Sequence, residues 1–346
     1  MNAAVEAPRS QLSSVQLPDL SRASRRIEQE AHEWLSRLCV RYPLVSPARR
    51  FQTMLSLREY WQDYGRVLNH EQYLQLADMA EYFCDWALLS QVSQAALSYA
   101  NKYHDMFLQQ YIRACWLATD YQQVRDKCVR ELLANPDRHW GEQMLQTLHQ
   151  HMHFSLEMCL GGYESLEYEQ LLLEPLHEQH AESFLWQYLD SDIPQRCCLP
   201  DIRNLEHWYQ WYDRQLQPNV RTFAVLHRTW GFIGVVSLTQ YRDIGFFYYW
   251  IGPDFQGNGF GPMAVNMLLA HAQKHAGLRC CYAKVFDDNR ASISALNKLA
   301  FQPLPFRPQP PFAAEMLFYL GPAQGELALR AELSELLRIM DSEIVL

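Results

Sequence analysis

Glycine is nearly absent between Arg25 and about Phe154 of this 346-residue sequence, so that stretch has few places for a tight or left-handed turn. Apolar residues there recur at helical spacing, as in Trp34, Leu35, Leu38 and Cys39, which predicts an all-helical half. No run of about 18 apolar residues occurs, which argues against a membrane-spanning helix. Positive charge is not in excess. The formal net charge of -9 gives no general footprint for nucleic acid or an anionic membrane, and neither is expected as a partner. The nine cysteines form no C-x-x-C pair and their number is odd; most sit in apolar periodic segments, where a free thiol packs as a small hydrophobe. A reducing cytoplasm fits that usage. Met1 to Ser24 lacks the basic start and apolar stretch of a signal peptide and reads as a disordered tail.

What is present is ordinary globular composition, 49% apolar and 20% charged, in a chain long enough for two domains. From about Tyr168 onward, short β-branched and aromatic runs alternate with amphipathic helices and are separated by Gly and Pro. The fold class expected is therefore α+β: an all-helical domain over 25–160, then a mixed domain over 165–322. The linker falls near Leu160-Gly161-Gly162-Tyr163, the only Gly-Gly pair. In the helical half, Ala80 to Ala100 and Ala114 to Ala134 look like copies of one unit, with Asp85-Trp86 recurring as Asp120-Tyr121 35 residues later. Asn135-Pro136-Asp137 follows where a closing proline would stand. The segment resembles a tetratricopeptide-like array of helical hairpins, which implies a concave face for a protein or peptide. Residues 323–346 carry a last helix, where Leu327, Leu329, Leu333, Leu336, Leu337 and Ile339 form an apolar face. That face needs a covering surface, either the helical domain or a second copy in a dimer.

Ile244 to Ile251 reads as a buried strand running through Gly252-Pro253-Asp254-Phe255 into Gln256-Gly257-Asn258-Gly259-Phe260-Gly261, and Met263 to His275 reads as a helix. A strand, a glycine-rich turn and a helix start make an anion site. Backbone N–H groups point outward, the helix dipole favours negative charge, and glycine permits close approach. Neither the G-x-G-x-x-G dinucleotide fingerprint nor a following G-K-[ST] is present. The Q-x-x-G-x-G that remains resembles the pyrophosphate signature of the GNAT superfamily of N-acetyltransferases. The likeness covers roughly Tyr168 to Leu320 and is greatest to the branch of ribosomal-protein alanine N-acetyltransferases. Tyr168 to Leu176, Phe223 to Leu226, Phe232 to Thr239 and Cys280 to Phe286 are similar to its strands, and Asp288 to Phe301 to its N-x-x-S helix. Two positions depart from it: Pro262 removes one N–H at the helix start, and Glu174 stands where that branch commonly has arginine.

The resemblance implies a central, splayed, mostly antiparallel sheet with acetyl-CoA as co-substrate and no metal. It implies cofactor contacts from Tyr249, Trp250 and Ile251 of the fourth strand, from Gln256, Gly257, Asn258, Gly259, Phe260 and Gly261, and from Asn289 and Ser292. A free N–H at Tyr249 or Trp250 would polarise the thioester. Ser292 is the candidate acid, since Leu296 stands where many relatives place a tyrosine. Asp243, Glu206 and Asp192 are the candidate bases. The aromatic stretch Trp208 to Tyr212 is expected in core, with an acyl or acceptor wall as the functional reading. His149, His151 and His153 read as a solvated helix end, and Cys197-Cys198 and Cys280-Cys281 as packing. Direct acetyl transfer to a protein or peptide amine leads. A longer acyl-CoA donor, a small amine acceptor, and a non-catalytic acetyl-CoA-binding scaffold are the alternatives.

Overall fold

The computed structural model describes residues 20–98, 102–160, 164–189 and 191–346. Of the expected tail, residues 1–19 lie outside this range, while Leu20 to Ser24 belong to the first helix. Most of the expected linker, residues 161–163, also lies outside it.

Among the described residues seven α-helices come first: α1 (Leu20–Arg41), α2 (Pro47–Tyr64), α3 (His70–Tyr82), α4 (Trp86–Leu97), α5 (His104–Leu117), α6 (Tyr121–Ala134) and α7 (His139–Leu160). The repeated dipeptides mark one turn built twice. Cys84 (φ 52°) and Thr119 (φ 63°) each reverse the chain. Asp85 and Asp120 then cap the next helix, accepting from the N–H groups of Leu88 and Gln123. Trp86 and Tyr121 occupy the first helical position, and both reach into the following domain. Trp86 Nε1 donates to Ser183 Oγ at 2.9 Å, and the Tyr121 hydroxyl donates to Glu174 at 2.5 Å.

The second domain runs β1 (Leu166–Tyr168), β2 (Leu171–Pro175), α8 (Ala181–Tyr188), α9 (Ile193–Cys197), α10 (Leu205–Gln215), β3 (Val220–His227), β4 (Gly231–Tyr241) and β5 (Ile244–Ile251). It continues with α11 (Phe260–His275), β6 (Cys280–Phe286), α12 (Arg290–Lys298), β7 (Gln302–Pro303), β8 (Glu315–Leu320) and α13 (Glu326–Ile339). The strands form one sheet in the order β1-β2-β3-β4-β5-β6-β8-β7, parallel only between β5 and β6. The alternation of strand side chains sorts two cores. Phe247, Ala283 and Val285 pack with Val265, Leu268 and Leu296 of α11 and α12. Trp250 lies on the other face with Phe184 and Trp208, and Tyr282, Leu317 and Tyr319 lie there against α13.

Two expectations are decided here. The apolar face of α13 is covered by its own sheet, with Leu329, Leu333, Leu336 and Leu337 buried. These residues pack with Tyr282, Leu317 and Tyr319 of the sheet and not with the helical domain, while Leu327 of the same stripe stays exposed. Trp208, Trp211 and Tyr212 are core, whereas Tyr209 is exposed.

Candidate active site

β5 and β6 pair at Ile244–Cys280, Gly245–Cys281 and Phe246–Tyr282, and then part. The ladder shows which groups face the gap. Gly252 N–H donates to Ile233 O at 2.8 Å, and the β4–β5 register continues through Trp250–Val235 and Tyr248–Ser237. Antiparallel pairs alternate between hydrogen-bonded and open, so Trp250 is bonded to β4 while Phe247, Tyr249 and Ile251 turn N–H and C=O toward β6. Two side-chain contacts agree: Cys197 Sγ reaches Tyr249 O at 3.6 Å, and Gln256 Nε2 donates to Ile251 O at 2.9 Å. The open N–H is Tyr249's. Trp250 instead buries its ring among Phe184, Tyr188 and Phe232.

The glycine loop lies at the open end of β5. Gly257 and Gly259 both have φ 81°, a conformation that costs other residues strain. Asn258 Nδ2 closes the loop on the carbonyls of Phe255 (3.1 Å) and Gln256 (3.2 Å). At Gly261 a Cβ would come within 2.4 Å of the Tyr249 ring, so helix and strand approach there only because no side chain intervenes. Met263 N–H is bonded to Gly259 O, and Pro262 has no N–H. Phe260 and Gly261 therefore carry the orphan donors of the α11 N-terminus. The helical domain braces this loop. Arg50 of α2 pairs with Asp254 at 3.5 Å, and Phe51 packs edge-on against Phe255 and Trp230, with centroids 5.3 Å apart in each case.

A cavity of about 360 Å³ fills the gap between β5 and β6 and is lined by residues from both faces of the sheet. On the α11/α12 face stand Tyr249, Asn289, Ser292 and Leu296. Asn289 caps α12 by accepting from Ser292 N–H at 3.2 Å. Burial raises the Tyr249 phenol above its ordinary pKa, and a hydrogen bond with the Ser292 side chain partly offsets that. On the α9/α13 face stand Cys197, Cys198, Lys284 and Glu315. Lys284 Nζ lies 2.7 Å from Glu315 Oε1 and 3.3 Å from Cys198 Sγ. Burial pushes the Cys197 thiol up to about 12. Cys198 is exposed and lines the cavity, so it is not the packing residue expected.

The expected bases are not brought in. Asp243 precedes β5 at the closed end of the strand pair, held by Arg279 at 2.6 Å. It lies six positions before Tyr249, about 20 Å along a strand. Glu206 is exposed in the first turn of α10, and Asp192 is tied to Arg196, a residue of the cavity lining, without reaching the lining itself. Neither lines the cavity. Glu315 escaped the sequence reading because its neighbours arise from the β6–β8 register, in which it faces Phe286.

His151 is a further correction. It is buried, its Nε2 lying 3.5 Å from Glu174 Oε1, because Glu174 is the centre of a polar cluster between the domains. His180 Nδ1 accepts from His177 N–H (3.0 Å), which leaves its Nε2–H to donate to Glu174 Oε2 (3.2 Å). Burial pushes the Glu174 carboxyl up, but hydrogen bonds from His151, His180 and Tyr121 outweigh this and hold it below the usual range. His149 and His153 are exposed. A second group, Glu164, His271 and His275, sets one ligand atom from each residue within 4.8 Å of the others. It lies at the end of α11 remote from the glycine loop.

Among solved structures, the chain is similar to the Salmonella typhimurium acetyltransferase that modifies the N-terminal serine of ribosomal protein L7/L12 (15% identity, 46% of this chain and 100% of that one, TM-score 0.41). It is also similar to spermidine N-acetyltransferase from Vibrio cholerae (18% identity, 44% and 95%, TM-score 0.38). The uncharacterized N-acetyltransferase YoaA of Bacillus subtilis is 26% identical over 153 residues, 40% of this chain and 82% of that protein. The family model described as acetyltransferase (GNAT) domain matches residues 170–302, which span β2 to β7 and include the glycine loop and both walls of the gap. The sheet domain is accordingly a GNAT-type acetyltransferase domain, and the protein that carries it is an N-acyltransferase.

Proposed function

We propose that the protein transfers the acetyl group of acetyl-CoA directly to an amine of a protein or peptide. The observation that carries this is the parting of β5 from β6 beside a glycine-lined helix start, which joins an anion cradle to a strand edge with free donors. In this reading the pyrophosphate lies against Gln256 to Gly261. The pantetheine arm pairs with β5 and contacts Asn289. Tyr249 N–H polarises the thioester oxygen, a backbone donor already fixed where negative charge develops. The amine nitrogen forms its bond to the carbonyl carbon, the C–S bond breaks, and the thiolate takes a proton from the Ser292 hydroxyl, which the Tyr249 phenol can resupply. A peptide acceptor is favoured by a groove of about 590 Å³ between α5, α7, α8 and α10, lined by Trp116, Trp140, Arg113, Glu182 and Tyr209. There the helical domain would hold residues beyond the reacting amine.

Calorimetry with acetyl-CoA, followed by incubation of cell lysate with labelled acetyl-CoA and identification of the labelled species, tests both parts. Binding together with label on polypeptide amines is expected. Failure of every coenzyme A species to bind would overturn the reading. Label confined to small amines would overturn the acceptor class. Binding without any transfer would favour an acetyl-CoA-sensing scaffold.

A further inference from the structure

Glu315 is 2% exposed, yet only one of its carboxylate oxygens is satisfied. Oε1 takes Lys284 Nζ at 2.7 Å and Cys198 Sγ at 3.5 Å. Oε2 is buried with no hydrogen-bond partner among the described residues. An ionised carboxylate buried in that state is costly unless a ligand supplies the missing donor. Its position is specific. Glu315 begins β8 opposite Phe286, the last residue of β6, and lines the gap cavity from the α9/α13 face. Ser292 and Tyr249 line the same cavity from the α11/α12 face.

We infer that Glu315 is the acceptor-side catalytic carboxylate, receiving the attacking amine and taking its proton. This rests on the acetyl-transfer reading and adds to it the residue that neither Asp243 nor Glu206 supplies. The thioester, lying in the gap, is then flanked across the sheet by a proton acceptor for the nitrogen and a proton donor for the sulfur. Oε2 takes a proton from the arriving ammonium, which frees the nitrogen lone pair for attack, and as the N–C bond forms the nitrogen gives up its second proton to water. As the C–S bond breaks, the thiolate is protonated from the other face, and Glu315 afterwards releases its proton to water. The Lys284 ammonium, 2.7 Å from Oε1, fixes the carboxylate and leaves Oε2 to face the acceptor. The substrate class that follows is a primary amine that arrives as an ammonium, such as a polypeptide amino terminus or a lysine side chain.

The test compares the full-length protein with Glu315→Gln and Glu315→Asp, using synthetic peptides with free α-amino or lysine amines and, as a second nucleophile, hydroxylamine, which is neutral at neutral pH. Positioned acid–base groups contribute roughly 10²–10⁴-fold. Glu315→Gln should therefore lower kcat/KM for the peptide amine by about 10²-fold or more, with a much smaller loss for hydroxylamine and unchanged acetyl-CoA affinity by calorimetry. Glu315→Asp should recover part of the peptide rate. Equal losses for both nucleophiles, or an unchanged peptide rate, would overturn the role of Glu315 while leaving the acetyl-transfer reading intact. A parent protein that acetylates none of these amines despite binding acetyl-CoA would instead sink both.

Discussion

One methyl group separates two kinds of glycine in this protein. At Gly261 an added Cβ would strike the Tyr249 ring at 2.4 Å, whereas at Gly325 it would meet nothing within 4 Å. Gly261→Ala is therefore expected to displace Tyr249, weakening acetyl-CoA by at least about 10-fold, since 1.4 kcal/mol of strain or lost contact suffices. Gly325→Ala should leave the affinity unchanged, and calorimetry on both variants makes the comparison. The hydroxyls next to Gly261 carry a second prediction. Ser292 and Tyr249 stand together in the cavity wall, and the Ser292 side chain partly offsets the rise in the phenol's pKa. Ser292→Ala and Tyr249→Phe should each lower kcat, by about 10²-fold if they pass one proton. The double variant should fall little further, because groups acting as one unit are not additive. A product of the two single losses, measured in steady state, would separate their roles. Asn289 and Ser292 could be singled out in the sequence because they stand in one short motif. Glu315 could not, because its partner Lys284 lies in another strand and only the β6–β8 register joins them.

At the scale of elements, the strands and helices around the gap were legible because their signals are local: β5 as an aromatic run, the turn after it as glycine, and α11 as an amphipathic period. The packing of elements was not. The apolar stripe of α13 announces that it must be covered but not by what, and the sheet proved to be the partner. The same holds for α2, whose Arg50 and Phe51 are unremarkable in sequence and yet stand against Asp254 and Phe255, immediately before the glycine loop. Phe51→Ala should therefore do two things. Loss of a half-buried ring costs roughly 2 kcal/mol, about half the range for a fully buried phenylalanine, read as a shift in the urea midpoint at unchanged slope. Freed of its brace, the loop should also bind acetyl-CoA more weakly. Val129→Ala, at an exposed position of α6, is the control. Unchanged affinity in a destabilised Phe51→Ala variant would show that the loop holds its shape without the helical domain.

At the scale of the whole molecule, the two halves meet through residues that the sequence pattern assigned elsewhere. In the sequence the repeated Asp-aromatic pair resembles a sign of stacked hairpins with an open face. In the folded chain Asp85 binds Arg58 through both carboxylate oxygens at 2.6 and 2.7 Å, and Arg58 also donates to Thr229 O at 3.0 Å. Trp86 and Tyr121 end on Ser183 and Glu174, so the hairpin turns grip the catalytic domain. The grip should weaken in acid. His177 packs against His151 at 4.7 Å and Phe154 at 5.0 Å. Burial, with the charges of His151 and His180, lowers its pKa from 6.5 to about 3. A depressed folded-state value means that the unfolded chain binds the proton first as pH falls. The contribution of His177 is thus fully present above about pH 6.5 and declines from there toward pH 3, by up to about 1.4 kcal/mol per pH unit. Glu174, also depressed, adds to the loss only below its ordinary value of 4.5. Between pH 6.5 and 4.5 the melting temperature should consequently fall in the parent and fall less in His177→Phe, which keeps the ring and removes the titration. Glu174→Gln should retain the parent's slope in that window and flatten the curve only at lower pH. If His177→Phe followed the parent curve throughout, the acid sensitivity would lie outside this interface.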